Sequence, residues 1–457
     1  SIKIKSMKNE KVKKGISRIS TGLPVFNEHA AGIDIGDTLH YIAISDGDGG
    51  HEVKTTTGFT SDLKEIVGYL KQNNITTVAM ESTGVYWLPL FILLEQAGIE
   101  PYLVNAAHAK NVTGRKKDDT DAIWLHKLHT CGLLQKSYQP ENDMRIVRDY
   151  TRQRKRLINL SSDAVRRLLK ALELMNIKIH TVISDILGKT GMSMVKAILA
   201  GQRDPEELAK LCDPRIKASK EEVIKSLEGI WKDEYLFMLR QAVEHYEFHK
   251  QQIKECEVVL EKILRERVVK IKEGDLTGME HPIKKSKKVK RNEFEYEITP
   301  YVKEIVGVDI SGIPGIGEST AIEIMSEIGV DMKKWKSEKN LCAWLNLAPN
   351  TKISGGKILS SKRMKKKNPA GQMLMQAAST LRNSKSSLGD YYRKKRAQLG
   401  GKGAVVATAH KMARIIYKMI LKQTEYSEEK INFEDQKFKQ NKIRKLEKLL
   451  ENLKKAS

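Results

Sequence analysis

The hydrophobic period of this chain changes at about residue 142, and that change most limits its fold. Before it, short apolar, β-branched runs alternate with stretches of helical spacing. After it, apolar residues recur every three and four positions through long, heavily charged sequence. Alternating strands and helices call for an α/β layer with a partly parallel sheet, whereas the second pattern can bury its apolar stripe only against other helices. The chain therefore reads as α/β plus all-α. At 457 residues it exceeds what one hydrophobic core ordinarily organises, so several units are expected.

In the first region AGIDIGDTLHYIAISDGDGG reads as strand, turn and strand, closed by a Gly/Asp turn. SDLKEIVGYLKQNN is helical, ITTVAMEST a short buried strand, WLPLFILLEQAG a helix ended by glycine, and IEPYLVN another strand. Residues 30–141 form this unit, behind a basic arm at 1–29. From 142 to 272 the three-and-four spacing is held first by Val147, Leu157, Ala164, Leu168 and Leu172, then from about 219 by Leu239, Val243, Leu260 and Ile263. Two long helices joined by broken sequence at 182–218 could form an antiparallel hairpin, a dimerising coiled coil or a plain bundle. A basic linker follows at 273–305 and includes KKSKKVKR, six cations in eight residues. A mainly helical unit spans 306–425, and 426–457 reads as a terminal amphipathic helix.

The charge points to a partner. Lys and Arg number 81 against 57 Asp and Glu, a formal net charge of +24. Cations spread over several blocks favour a polyanion, because each neutralised phosphate releases counterions. A solvated basic surface, or attraction to anionic lipid, is the alternative. Cys131, Cys212, Cys256 and Cys342 are widely spaced with no C-x-x-C, which argues against a zinc site or a disulfide framework. No apolar run approaches the roughly 20 residues that span a bilayer. SIKIKSMKNEKVKK lacks the apolar core of a signal peptide, so a cytoplasmic, nucleoid-associated protein without membrane contact is expected.

Four carboxylates stand out against this basic background. Asp34 in AGIDIGD falls inside a strand, where a charge is costly unless paired or bound to a cation. Glu81 in VAMESTGVYW stands at the C-terminal end of a strand, where open α/β sheets place ligands. In RKKDDTDAIWL, Asp118 and Asp121 would share one helix face, with Asp119 turned about 100° away. Oxygen ligands from two strand ends and one helix face suit hard divalent cations, Mg²⁺ or Mn²⁺, which leave room for phosphate oxygens and serve phosphoryl transfer in pairs. Arg115, Lys116 and Lys117 would meet the nucleic-acid backbone. Each acid alone could equally cap a helix or end a strand.

In SGIPGIGESTA, Gly312, Gly315 and Gly317 permit a tight turn with exposed N–H groups at a helix start, a phosphate cradle resembling a helix-hairpin-helix motif. Gly315 and Gly317 are the candidate contacts, and a plain helix-helix turn is the alternative. Further on, KISGGKILSSKRMKKK sets Ser354 before Gly355 and Gly356. It then adds Lys362, Arg363, Lys365, Lys366 and Lys367, five cations in six residues. A small hydroxyl beside two glycines lets a bulky phosphodiester approach, and it equally describes a flexible turn.

G-I-D-I-G, M-E-S-T-G-V-Y-W and K-x-D-x-x-D-A-x-W-L at Lys116 to Leu125, with L-x-P-x-x-x-x-S-G at Leu347 to Gly355, resemble the DEDD-type insertion-sequence transposases, which act as bridge-RNA-guided recombinases. The resemblance implies an RNase H-like domain of the Holliday-junction-resolvase type, a coiled-coil insert and a C-terminal transposase domain. It implies that Asp34, Glu81, Asp118 and Asp121 bind Mg²⁺, and that Ser354 is a nucleophile forming a phosphoserine link to DNA. It further implies donor and target double-stranded DNA and a structured noncoding guide RNA as partners. A composite site in a dimer of dimers is implied as well, hence a homodimer or homotetramer. The residues by themselves support only a basic, metal-dependent nucleic-acid enzyme. Two competing readings stand beside it: a junction-resolving nuclease that activates water, with Ser354 an ordinary turn residue, and a non-catalytic nucleic-acid scaffold.

Overall fold

The computed structural model describes residues 24–82, 84–105, 121–273, 291–364 and 367–429, with four positions beyond them (440, 443, 444 and 447). Its contacts divide the chain into two compact units between Gln139 and Pro140. Most of the basic arm, Arg115 to Asp119, most of KKSKKVKR, Lys365 and Lys366, and most of the terminal helix lie outside the described residues. Among the described residues no helix is long and apolar enough to cross a membrane.

The first unit contains, in order, β1 (Ala30–Ile35), β2 (Leu39–Ser45), β3 (His51–Thr57), α1 (Thr60–Gln72), β4 (Thr77–Glu81), α2 (Trp87–Gln96), β5 (Glu100–Val104) and α3 (Asp121–Thr130). The sheet order is β3-β2-β1-β4-β5. The first three strands form an antiparallel meander, and β4 and β5 add to β1 in parallel. On one face Ile33, Ile35, Val78, Met80 and Leu103 pack against Leu63, Ile66 and Leu70 of α1 and Leu90, Phe91 and Leu94 of α2. On the other, Ala79 and Val104 pack against Leu125 and Leu128 of α3. Strand β3, past the Gly/Asp turn, is an element that the sequence pattern does not announce. HEVKTTT has β-branched threonines but a weak apolar alternation, as an edge strand with a largely half-exposed surface does.

The second unit opens with α4 (Asn142–Leu174), followed by α5 (Ile179–Val182), α6 (Lys189–Leu199), α7 (Pro205–Ala209), α8 (Lys220–Leu227) and α9 (Asp233–Ile271). Helices α4 and α9 run antiparallel, because Arg267 reaches Asp143 at one end (3.4 Å) and the Ile230 N–H donates to Met175 O at the other (2.8 Å). The stripe Leu157, Ala164, Leu168 and Leu172 is buried, as its spacing requires. The second long helix starts at Asp233 and not near 219. Residues 220–227 are a separate helix, opened by a capping box between Ser219 and Glu222. After it the chain turns at Gly229, where a Cβ would come within 2.8 Å of the Ile177 side chain. The short helices close a small core at this end, with Met194, Val195, Leu208 and Val223 on Leu168, Leu172 and Leu239.

The rest of the unit holds α10 (Thr299–Val306), α11 (Glu318–Ile328), α12 (Glu338–Trp344), the strands β6 (Lys352–Ser354) and β7 (Lys357–Ser360), α13 (Pro369–Thr380) and α14 (Ser387–Lys422). Helix α14 is broken at Gly400, whose φ of 71° and ψ of 176° leave the helical region. Helix α11 is pinned to α4 by Arg152 to Glu327 (2.6 Å), Lys155 to Glu323 (2.8 Å) and Thr151 to Ser326 (3.0 Å). Arg154, on the same helix, is buried. It donates to Glu257 of α9 (2.7 Å) and to Asn292 O (2.9 Å), and lies over the Phe294 ring at 3.8 Å. Burial raises the Glu257 carboxyl above its ordinary range while Arg154 pulls it down.

Candidate functional site

Strand alternation fixes the direction of two of the four acids. Ile33 and Met80 are partners across the β1–β4 ladder, and Asp34 and Glu81 are each the next residue. They therefore stand side by side at the C-terminal ends of adjacent parallel strands, whose backbones run about 4.8 Å apart. Both share the parity of Gly32 and Ala79, so both rise from the face covered by α3. A Cβ on Gly32 would lie 2.3 Å from Ala122 O and 2.3 Å from the His126 N, so only glycine lets α3 seat this close to β1. Asp121 is the first residue of that helix, next to Ala122, and all three carboxylates are half-buried.

The helix begins at Asp121, and Asp118, expected to share a helix face with it, lies outside the described residues together with Asp119, Arg115, Lys116 and Lys117. Among the described residues no three acidic, histidine or cysteine side chains stand close enough to hold an ion. What the structure brings together is the pair Asp34 and Glu81 beneath the helix that starts with Asp121. Its donors are all carboxylate oxygens, the set a hard divalent cation takes.

Buried histidines, which the sequence pattern did not single out, seat α3 on the sheet toward the N-terminal ends of β1 and β4. His126 stacks edge-on against His51 (ring centroids 5.0 Å apart), and His129 shares a hydrogen bond with the Thr77 hydroxyl (2.9 Å) beside the Tyr102 ring. Burial pushes both imidazoles down to about 4, with repulsion from His51 adding at His126, so both are neutral at pH 7. Their i, i+3 spacing in DAIWLHKLHT was a visible signal, since it sets them on the face of Leu125 and Leu128.

In the second unit Ser354 ends β6 and pairs with Lys357 across a two-residue turn. Gly355 and Gly356 have φ of 54° and 76°, the paired left-handed conformation of a type I′ hairpin, which glycine alone adopts freely. The unit expected to be mainly helical thus carries a projecting β-hairpin. K-I-S-G-G-K-I-L-S is its sequence signal, two alternating runs separated by Gly-Gly. Ser354 is exposed between Lys352 and Lys357, and Ile353 and Ile358 are also exposed. Lys362, Arg363 and Lys367 are exposed, and the Arg363 Nη1 donates to Asn346 O (3.2 Å).

The glycine turn joins α10 to α11. Asp309 accepts from the Ser311 N–H (2.8 Å) and hydroxyl (2.6 Å). Gly315 has φ of 87°, and a Cβ there would meet Ala377 O of α13 at 2.8 Å, so its glycine is required by packing. Gly317 precedes α11 with open space around it, as a phosphate contact would need.

The first unit thus carries acids at its strand ends, and the second a glycine turn and an exposed serine. Residues 31–177 match the family model of DEDD transposases of the IS110 type, and residues 309–393 match that of transposases of the IS116/IS110/IS902 family. The chain belongs to the IS110 family of transposases, so its substrates are DNA and its DEDD domain depends on divalent metal. A search of the curated proteins gives no match.

Proposed function

We propose that this transposase moves its element by guided recombination through a covalent phosphoserine intermediate. The observation that carries the reading is Ser354, exposed at the turn of a hairpin whose two glycines leave its hydroxyl open to a phosphodiester. The Ser354 Oγ attacks the scissile phosphorus and forms a new P–O bond. The bond to the leaving deoxyribose oxygen breaks, and the serine proton goes to that oxygen. Lys352 and Lys357, beside Ser354, balance the phosphate charge.

The first unit is read as an RNase H-like domain, which its strand order and its acids at adjacent strand ends support. Asp34, Glu81, Asp118 and Asp121 would hold Mg²⁺ or Mn²⁺. Such ions stabilise the charge that builds on the phosphate. Sequence choice is assigned to a structured noncoding guide RNA that pairs with donor and target DNA, as the family resemblance implies, and a +24 charge without a zinc finger or basic zipper to read bases fits that assignment. Gly317, Lys362, Arg363 and Lys367, with Arg115 to Lys117, Lys365 and Lys366, would contact phosphates, and the assembly would be a homodimer or homotetramer.

The test is a denaturing protein gel after incubating the protein with its flanking noncoding RNA, labelled donor and target DNA and Mg²⁺. A labelled adduct absent from Ser354→Ala is expected. Free cleaved ends with no adduct in either protein would favour hydrolysis by activated water.

A further inference from the structure

The cavities of the second unit differ in how their charge is balanced. The cavity of about 490 Å³ beside Arg154 sets Lys254 and Arg291 against Glu295 and Asp185. The cleft of about 340 Å³ beside α11 sets Arg152 and Lys155 against Glu327 and Glu323. The groove of about 900 Å³ between the base of the β6–β7 hairpin and the broken helix α14 has no such balance. Lys362, Arg363, Lys395 and Lys402 line it, and no carboxylate is among its described lining residues. Its floor is apolar, with Leu347, Pro349, Met375, Val405 and Val406, and Tyr391 stands in its wall. Four cations around one open groove repel each other unless an anion joins them.

We infer that this groove takes unpaired nucleotides of the DNA strand that the hairpin addresses, with a base against Tyr391 and the apolar floor and the phosphates on Lys362, Arg363, Lys395 and Lys402. The volume is at the upper end of the roughly 300–1,000 Å³ of clefts that enclose small ligands, enough for a nucleotide and not for a duplex. An apolar floor suits a base face and is wasted on a duplex, which presents phosphates outward. The Lys411 and Lys395 ammonium groups stand 4.5 Å and 5.7 Å from the Tyr391 ring centre. An incoming base takes the place of these flexible side chains over the ring, and the ammonium groups turn to its phosphates. The helix breaks at Gly400, and Leu399, Lys402 and Gly403 on either side of the break line the groove. The choice of DNA rests on the hairpin reading above, since Ser361 and Lys362 directly follow β7 and belong to both features.

Equilibrium binding by the full-length protein in EDTA, where no cleavage occurs, separates this inference from the phosphoserine reading. The probes are labelled oligodeoxythymidylate, a mixed-sequence duplex and oligouridylate. Tyr391→Ala is expected to weaken oligodeoxythymidylate binding about fivefold to a hundredfold and to leave duplex binding within about twofold, with Tyr391→Phe close to the natural protein. Lys402→Ala, at an exposed position where the fold is not at risk, should lower the salt slope of binding by about one. None of these binding readouts requires the covalent adduct at Ser354, so they are read whether or not it forms. Unchanged oligodeoxythymidylate binding by Tyr391→Ala overturns the inference. So does equal loss of duplex binding, loss confined to oligouridylate, or a Tyr391→Phe as weak as Tyr391→Ala.

Discussion

Gly32 positions one side of the acidic centre without carrying any chemistry. Its missing Cβ lets α3 lie on β1, and Asp121 is where it is because Ala122 can sit over that glycine. Gly32→Ala should destabilise the protein by about 1–3 kcal/mol in chemical unfolding and lose strand cleavage, because the helix must lift. Asp121→Asn, which removes charge and keeps bulk, should abolish cleavage while RNA binding persists in a gel-shift assay. Asp119→Asn should cleave normally, and an equal loss there would move the ligand assignment by one position. The two buried histidines of α3, His126 and His129, set a pH dependence. Their folded pKa of about 4 lies below the ordinary 6.5, so the unfolded chain binds protons first as pH falls. Their contribution is complete above pH 6.5 and is lost between 6.5 and 4. Unfolding at pH 5 against pH 7 should reveal a loss of about 2 kcal/mol for each histidine.

At the scale of elements, the β6–β7 hairpin and the α4–α9 pair behave differently under substitution. The hairpin depends on its turn, since Gly355 and Gly356 both need positive φ. Replacing both by valine should abolish adduct formation while the thermal midpoint barely moves, because a Cβ at either position would meet nothing within 4 Å and the hairpin's apolar side chains Ile353 and Ile358 are exposed. The helix pair holds a buried ion pair, Arg154 with Glu257, beside its apolar stripe. Glu257→Gln leaves the Arg154 guanidinium buried without its counter-charge, and chemical unfolding should report a loss of about 3–5 kcal/mol. The periodicity of α4 was legible because its stripe is continuous from Val147 to Leu172. The start of α9 was not, because α8 continues the same spacing and only the Gly229 turn separates them.

For the whole molecule the excess of cations governs encounter with nucleic acid. Raising salt from low to physiological concentration should weaken binding steeply in a filter-binding assay, with a log–log slope of several units. A flat response would contradict a phosphate-binding role for that charge. What the sequence by itself determined is the division into an α/β region and a helical region and the helix-pair stripe, because period and local composition act over a few residues. Only the tertiary structure decided that Asp34 and Glu81 lie on one face of adjacent strands, that α11 locks to α4, and that Lys362, Lys395 and Lys402 share a groove with Tyr391. Those placements arise from strand register, close packing at glycines and a break in a helix, which bring together residues too far apart in the chain for any local pattern to connect them.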